Sequence, residues 1–297
     1  MPIDEASQEP IQEMIPLLIK VQGNLDQEIR LESLARQYGY SPFHFHRFFS
    51  SSVGETPKQH VDRLRLERGA YKLAITCETV LAIALSVGFK NHETFSRAFK
   101  RAFGHSPKDY RRACRAAQAD RLERNREFRG EGCLLSDVRF VSLPATTLLA
   151  IRHHGAYEDC PVPFLEADSF WNDLIDWAKR NRLRYRPLGL VISYDDPTMT
   201  PKALQRLDGC IPIESKVVAE GRIRRLDFAG GRYGGIEHAG PLSTIDQAYR
   251  NLADGIRRSR RYMFDEGPPV QIYRKVHIGG DPSANLTEVY FPVRMAG

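Results

Sequence analysis

Residues 84–108 read ALSVGFKNHETFSRAFKRAFGHSPK, and residues 35–58 read ARQYGYSPFHFHRFFSSSVGETPK. Both stretches contain an alanine, a glycine and an aromatic residue at matching positions, then Phe-x-Arg-x-Phe, then Gly-x-Thr/Ser-Pro-Lys. The alanine, glycine and aromatic positions of the two copies are 49 residues apart, and the positions from Phe-x-Arg-x-Phe onwards are 50 residues apart. The second copy therefore has one extra residue between its glycine and its arginine. This many matched positions indicate an internal repeat.

Each copy predicts a helix, a short turn and a second helix. In the first copy, leucine and alanine at helical spacing stop at Gly39, a residue that suits the left-handed position after a helix. Ser41 is a suitable N-cap for the next helix, and Pro42 fits its first position. Asn91 is the equivalent cap in the second copy. A longer helix, residues 57–75, is predicted as a spacer between the two copies.

The second helix of each copy separates an aromatic face from a polar face. Phenylalanines at helical spacing form the first face and are predicted to be core. The opposite face carries side chains that can hydrogen-bond to base edges. An outward Phe43 is costly on a surface without a partner. The candidate DNA-contacting residues are Phe43, His46, Arg47, His92, Glu93, Ser96, Arg97, Lys100 and Arg101.

A helix presented in this way, after a tight turn from a buried helix, has the geometry that enters a DNA major groove. Two such helices on a stiff spacer can read successive turns of one duplex, about 34 Å apart. Arg47 and Arg97 are the strongest candidates for base contact, because arginine can bridge guanine O6 and N7. Double-stranded DNA is therefore the expected partner, with RNA polymerase as a further one.

Composition and charge exclude several classes of protein. Hydrophobic residues make up 42% and charged residues 27%, which excludes wholesale disorder. The net charge is +6, and residues 90–129 alone carry 12 basic and 5 acidic side chains, as expected for an anionic partner. No apolar stretch approaches the roughly 18 residues of a membrane helix, and the start lacks a signal peptide, so a cytoplasmic protein is expected. Five cysteines without a C-x-x-C pair predict no disulfide framework, metal or cofactor.

The first half resembles the DNA-binding domain of AraC/XylS-type transcription regulators. The similarity covers residues 11–112 and is sharpest from Val87 to Arg112. It implies an all-α domain with two helix-turn-helix units joined by a long helix. It also implies base contacts by Phe43, His46, Arg47, His92, Glu93 and Arg97. Several of these positions often carry Trp or Gln in the family, so the family's operator sequences do not transfer to this chain.

The second half predicts strands that alternate with helices. The predicted strands are 138–143, 145–153, 188–194, 222–228, 232–238, 270–275 and 286–293. The predicted helices are 163–180 and 243–259. Ile151-x-His153-His154-Gly155 matches Ile236-x-His238-Ala239-Gly240 at an offset of 85 residues. We therefore predict a multidomain chain: a DNA-binding domain at 1–112, a basic linker at 113–136, and an α+β domain at 137–297 made of two repeated strand-strand-helix-strand-strand modules.

This second half is similar to the GyrI-like effector domain, which also follows the DNA-binding domain in Rob-type regulators. The similarity rests on the stretches 193–197, 230–233, 238–241, 271–273 and 288–293. It implies an aromatic-lined cleft between the modules that binds small amphipathic, often cationic molecules. The family commonly has Glu where this chain has Gln271, and Glu237 is the candidate substitute because strand alternation puts it on the face of Tyr233. The candidate effector-binding residues are Trp171, Tyr194, Tyr233, Glu237, Gln271 and Tyr273.

These features predict a sequence-specific transcription regulator controlled by a small aromatic or cationic effector. An enzyme is not expected, because the chain lacks G-x-S-x-G, G-x-x-x-x-G-K and G-x-G-x-x-G motifs. Two alternatives remain open. The first is a ligand-sequestering or ligand-hydrolysing GyrI-like protein tethered to DNA. The second is a chromosome-binding protein without an effector, whose cleft is filled by its own side chains.

Overall fold

A computed structural model describes residues 9–124, 132–165, 169–215, 217, 221–276 and 284–296. The chain divides into two compact units, Met1–Asp120 and Arg121–Gly297. The described part of the first unit is helical, and that of the second is built on a β-sheet. No helix in the described ranges is long and apolar enough to cross a membrane.

The first half is a series of helices joined by short turns. They are α1 (Glu9–Gln22), α2 (Leu31–Gln37), α3 (Pro42–Val53), α4 (Pro57–Ile75), α5 (Val80–Ser86), α6 (His92–Phe103) and α7 (Pro107–Arg124). The helix α4 has the bounds predicted for the spacer. The helix α7 continues through residues 113–124, so this part of the predicted basic linker extends the last helix of the first half.

Capping residues fix where the helices of the repeat begin and end. The Ser41 side chain accepts a hydrogen bond from the backbone of His44 at the start of α3, and Asn91 accepts one from the backbone of Thr94 at the start of α6. Between α5 and α6, Gly88 has φ +91°, and a Cβ there would lie 2.2 Å from the carbonyl oxygen of Leu25. Only glycine fits this turn, because both the left-handed conformation and the close approach exclude a side chain.

Phenylalanines supply the buried contacts of the repeat. Phe45 and Phe49 of α3 are buried in a core with α1, α2 and α4, and Phe95 and Phe99 of α6 are fully buried. The helix α4 approaches α6 closely at Gly69, where an added methyl group would stand 2.9 Å from the Phe95 ring. The glycine that weakens α4 locally therefore allows the second helix pair to pack against it.

The second half forms an antiparallel sheet with two helices. Its strands are β1 (Leu134–Leu135), β2 (Arg139–Leu143), β3 (Thr146–His154), β4 (Gly189–Ser193), β5 (Arg206–Ile213), β6 (Ile223–Phe228), β7 (Gly231–Ala239), β8 (Tyr262–Phe264), β9 (Val270–Lys275) and β10 (Leu286–Met295). Its α-helices are α8 (Phe170–Arg180) and α9 (Ile245–Arg258). The strand order is β1-β7-β10-β9-β4-β5-β3-β6, with β2 paired to β7 and β8 to β10. The strand β1 lies in the predicted linker.

The sequence pattern predicts no strand at β5. Its sequence, RLDGCIPI, contains Asp, Gly and Pro, which are depleted in strands, and all eight residues are buried. Pro212 pairs with Leu148 of β3, but its carbonyl accepts from the backbone of Arg186 on the other side, so the missing N–H faces away from β3 and lies beyond the stretch paired with β4. Burial on both faces removes the alternation that marks a half-buried strand.

The two faces of the sheet carry separate cores. Leu149, Ile151, Val191 and Ile211 pack with Trp171 of α8 on one face. The neighbouring residues along the same strands pack together on the other face; they include Leu148, Ala150, Leu190, Ile192 and Cys210. We call these the helix face and the open face, because α8 and α9 both contact the first.

Candidate DNA-binding surface and effector site

The helices α3 and α6 are aligned residue for residue. Each has 12 residues, a glycine in the left-handed region at its C-cap, and a buried phenylalanine at its fourth and eighth positions. The sixth residue is Arg47 in α3 and Arg97 in α6, and both are exposed. Because the buried positions fix the rotation of each helix about its axis, both arginines emerge at the same point of their helix.

On α3 the exposed face combines an aromatic ring with one arginine. The Phe43 side chain is 73% exposed. The guanidinium of Arg47 lies 5.8 Å from the centroid of the Phe43 ring, a cation–π contact. His46 is exposed beside them. This surface can hydrogen-bond to a base edge and place an apolar ring against a thymine methyl group.

On α6 the exposed face is more strongly charged. His92 and Glu93 begin the helix, Arg97 follows, and Lys100 and Arg101 lie in the last turn; all five are exposed. The Ser96 hydroxyl is half-buried and lies 3.4 Å from His92 Nε2. All nine sequence candidates therefore lie on α3 or α6, eight of them exposed.

Other basic side chains of this unit serve the fold. Arg63 is held between Glu55 and Glu67. Arg65 donates to the carbonyl oxygens of Leu25 and Gln27, and Arg111 donates to those of Leu73 and Glu78. By contrast, no ion pair to a described residue is formed by Arg47, Arg97, Lys100 or Arg101. These four cations are available to an external anion.

The length of the spacer helix α4 can be compared with the spacing of DNA grooves. The 19 residues of α4 give a helix about 28 Å long. This length is close to the roughly 34 Å that separates successive major grooves on one side of a duplex.

In the second half, three candidates lie on the helix face. Gln271 and Tyr273 share one side of β9, and Trp171 projects from α8 and donates through Nε1 to the carbonyl of Pro161. The Tyr249 hydroxyl of α9 donates to Gln271 Oε1 at 3.1 Å. These side chains lie over β9 and β4, the two strands between those that carry α8 and those that carry α9.

This region is polar without being acidic. Neither β4 nor β9 contains Asp or Glu. Burial raises the pKa of both Tyr249 and Tyr273 above the ordinary value, so both hydroxyls stay protonated near neutral pH. Among the described residues the Tyr273 hydroxyl has no hydrogen-bond partner. It is an available donor at the bottom of the site.

The other three candidates lie on the open face. Tyr194 donates to Asp208 Oδ2, and its ring lies 4.5 Å from the Arg152 guanidinium. Burial opposes the charge of Asp208, but the neighbouring Arg152 and Arg224 outweigh it and hold the pKa of Asp208 below the ordinary value. Tyr194 therefore belongs to a buried ionic network.

Tyr233 and Glu237 are also used by the fold. Tyr233 is buried against Tyr290 and Phe228. Glu237 forms an ion pair with Arg139, which also bonds Glu288. The six effector candidates are thus divided between two faces, and Glu237, the proposed substitute carboxylate, is engaged on the face away from Gln271. Tyr249 is not among the residues predicted from the sequence, although its position inside the predicted helix 243–259 was an available signal.

The two histidines at matching positions in the second half, His153 and His238, support turns. His153 Nε2 lies 3.1 Å from the carbonyl of Ala156, and His238 Nε2 lies 2.8 Å from the Thr244 hydroxyl. Burial lowers the pKa of both, which favours the neutral imidazole. Within the ranges described, no three His, Cys, Asp or Glu side chains are grouped as metal ligands.

Two family models match the chain. A helix-turn-helix domain matches residues 34–113, and a GyrI-like small molecule binding domain matches residues 136–294. The Right origin-binding protein of Escherichia coli is 38% identical over 97 residues, which are 33% of this chain and 34% of that protein. The regulatory protein SoxS of Salmonella typhimurium is 32% identical over 101 residues, 34% of this chain and 94% of SoxS.

A solved structure is similar over the first part as well. The C-terminal domain of AraT, a response regulator from Geobacillus stearothermophilus, is 31% identical, with a TM-score of 0.33, over 36% of this chain and 87% of that domain. The chain spans about a third of the length of the first curated relatives that it matches. The GyrI-like match alone covers more than half of the chain. The protein belongs to the GyrI-like family and carries an AraC/XylS-type helix-turn-helix domain in front of its GyrI-like domain.

Proposed function

We propose that the protein is a sequence-specific DNA-binding transcription regulator whose promoter occupancy or contact with RNA polymerase is controlled by a small molecule. Residues 1–112 are the DNA-binding part and residues 137–297 the effector-binding part. The observation that carries the proposal is the pair Arg47 and Arg97, which occupy the same exposed position on two aligned helices without an acidic partner among the described residues. The relatives' names support the regulatory role.

In this proposal α2–α3 and α5–α6 are two helix-turn-helix units. The helices α3 and α6 enter successive major grooves, and α4 holds them about one helical turn of DNA apart. Arg47 and Arg97 read bases, Phe43 contacts a thymine methyl group, and Lys100 and Arg101 neutralise phosphates. Two units on one chain allow a monomer to read an asymmetric site.

The effector site lies on the helix face between α8 and α9. Its polar groups are the Gln271 amide, the Tyr249 hydroxyl and the Tyr273 hydroxyl, with the Trp171 ring in the adjoining core. Because these groups carry no formal charge, the site favours a flat, neutral molecule with a hydrogen-bond acceptor over a cation. The buried carboxylates of the open face are already neutralised by arginines.

Control of DNA binding requires that the effector bind one state of the chain more tightly than another. A ligand inserted between α8 and α9 contacts both helices together and therefore favours the separation of the helices that it fits. By linkage, DNA that favours the same state increases the affinity for the ligand by the same factor.

The DNA proposal is tested by selecting genomic fragments with the purified full-length protein and titrating the recovered site at a stated salt concentration. Arg47→Ala and Arg97→Ala are each expected to weaken specific binding by about 1 to 3 kcal/mol while binding to random DNA changes much less. Arg180→Ala, an exposed arginine of the second unit, is the control. Recovery of no sequence motif, or unchanged specific affinity in both variants, contradicts the proposal.

The effector proposal is tested with a matched pair of probes, neutral quinoline and cationic N-methylquinolinium. We expect quinoline to raise the melting temperature of the wild type more than its cationic counterpart does. Gln271→Glu introduces a carboxylate at the same position and should reverse this preference. Equal effects of both probes on both proteins, or a wild-type preference for the cation, would contradict the assignment.

A further inference from the structure

A group of arginines meets at one corner of the second unit. Arg232 lies near the start of β7, and Arg260 and Arg261 lie in the turn between α9 and β8; all three are exposed. Arg232 and Arg261 meet at the ring of Tyr262 in β8, and Arg260 precedes Arg261 in the chain. We call these three residues the arginine corner.

Tyr262 organises the corner. The guanidinium groups of Arg232 and Arg261 lie 5.6 Å and 5.5 Å from the centroid of its ring. The Tyr262 ring is itself stacked on Phe140 of β2, with 4.3 Å between the ring centroids. Two cations from separate elements are therefore held at one aromatic ring, which reduces the freedom they lose on binding an anion.

Most arginines of this unit have acidic partners, and those of the corner do not. Arg139, Arg152, Arg206 and Arg274, among others, form ion pairs. In the described ranges, none of the three corner arginines has a carboxylate within 4.0 Å. Between Asp254 and Asp265 the chain contains four arginines and no acidic residue.

Stabilisation of the fold does not account for the corner. Arg257 and Arg258 lie in the last turn of α9, where positive charge suits the helix dipole, and Arg257 also pairs with Asp254. Arg232, Arg260 and Arg261 lie outside that helix. Three positive charges without acidic partners repel one another, so an anionic partner would relieve this repulsion.

We propose that the arginine corner is a second DNA-binding surface, which contacts phosphates of the duplex next to the site read by the first unit. This inference rests on the proposed DNA-binding function. The planar guanidinium suits phosphate oxygens, which it can bind with two parallel hydrogen bonds. When the first unit is bound to DNA, the attached second unit meets the flanking duplex at a high effective concentration. A few phosphate contacts are then enough for the arginine corner to bind that duplex.

The test compares two duplexes that carry the same recovered site, one limited to about two helical turns and one extended on both sides to about six turns. For the wild type, the slope of log K against log salt should be steeper on the long duplex by about two to three. The triple variant Arg232→Gln, Arg260→Gln, Arg261→Gln should lose this difference and keep the wild-type slope on the short duplex.

Two control proteins separate charge from fold and position. The variant with lysine at the same three positions keeps the charges and should keep the steeper slope on the long duplex. Arg180→Gln, Arg182→Gln, Arg186→Gln removes three exposed arginines, one at the end of α8 and two in the segment that follows it, and should behave as the wild type does. Thermal unfolding of each variant checks that the second unit is folded.

The inference is overturned if the wild type has equal slopes on both duplexes, or if the glutamine variant keeps the difference, as expected when the corner binds an acidic protein surface instead. An equal loss in both glutamine variants also overturns it, since the effect would then be one of general charge. Failure of the wild type to select any site would instead contradict the proposed function of the first unit.

Discussion

The helices α3 and α6 share their buried phenylalanines and an exposed arginine, and differ at most other positions. Both bury phenylalanine at the fourth and eighth residues and expose arginine at the sixth. At the ninth and tenth residues, however, α3 has the half-buried Ser50 and the exposed Ser51 where α6 has the exposed Lys100 and Arg101. The core thus fixes how each helix is presented, while in the proposed DNA-binding mode the contacts of α6 depend more on charge than those of α3.

The turns that follow the two helices also use different chemistry at equivalent positions. After α3, Glu55 binds His60 at 2.7 Å and Arg63 at 2.6 Å. After α6 the corresponding His105 is exposed, and the Phe103 and Tyr110 rings pack together instead, with centroids 5.7 Å apart. One backbone arrangement is therefore stabilised by an ionic network in the first copy and by aromatic packing in the second.

The largest effect is expected from removing that ionic network. Burial alone would raise the pKa of Glu55, but hydrogen bonds from His60 and Arg63 and the charge of Arg63 outweigh it and lower the pKa to about 2. A folded-state pKa below the unfolded one stabilises the fold above pH 4.5, by about 1 to 3 kcal/mol once solvent screening of this partly exposed carboxylate is included, and this contribution is lost as the pH falls towards 2. Glu55→Gln should lose it at pH 7.

Urea unfolding between pH 7 and pH 2.5, followed by helical circular dichroism, measures this contribution. His105→Gln is the matched change in the second copy and should alter stability by less than about 0.5 kcal/mol. If Glu55→Gln and the wild type lose stability in parallel between pH 4.5 and pH 2.5, the network does not have the assigned role.

A somewhat smaller loss is expected at the contact between α4 and α6. Gly69→Ala should increase helix propensity by about 1 kcal/mol, yet the new methyl group meets the fully buried Phe95 ring. The resulting strain costs about 1 to 3 kcal/mol, so we expect a net destabilisation. Gly69→Ala combined with Phe95→Leu should recover part of it. An increase in the melting temperature of the single variant would contradict this packing.

Because α6 carries more positive charge than α3, we expect its contacts to contribute more to the salt dependence of DNA affinity. Lys100→Ala with Arg101→Ala should reduce the slope of log K against log salt by about two, because two phosphate contacts are lost. Ser50→Ala with Ser51→Ala changes the equivalent positions of α3 and should leave the slope unchanged. Similar slopes for the two double variants would show that Lys100 and Arg101 do not contact phosphates.

The smallest effect concerns the second residue of each helix. Phe43→Ala should relax the preference for thymine at one base pair by about 1 kcal/mol or slightly more, and Glu93→Ala should relax the preference for cytosine at another. Competition assays with single-base variants of the selected site measure both. If each variant weakens binding to all these sites equally, neither side chain reads a base.

The repeat made the first half predictable from the sequence. Phenylalanines at helical spacing, together with caps such as Ser41 and Asn91, define both helix pairs, and residues 57–75 were assigned correctly as one helix. The start of that helix was marked by Thr56-Pro57, where the Thr56 side chain accepts from the backbone of Gln59.

In the second half the sequence predicts seven of the ten described strands, all but β1, β5 and β8, but not the faces on which their side chains meet. Alternation places Gln271 with Tyr273 on β9, yet it does not relate that face to the face of Tyr194 at the end of β4. Register and the side on which α8 and α9 pack decide this relation, and both depend on contacts distant in sequence. For the same reason the partner of Gln271, Tyr249, was missed.

The most direct test of the proposal that two matched helices of one chain read DNA is to exchange outward-facing residues in which they differ. A variant that carries the α6 residues at the second, fifth and tenth positions of α3, and the reverse, keeps Arg47, Arg97 and both sets of buried phenylalanines. Selection from random DNA should then yield the wild-type motif with its two half-sites in the opposite order. An unchanged order of half-sites would show that these positions do not read the sequence.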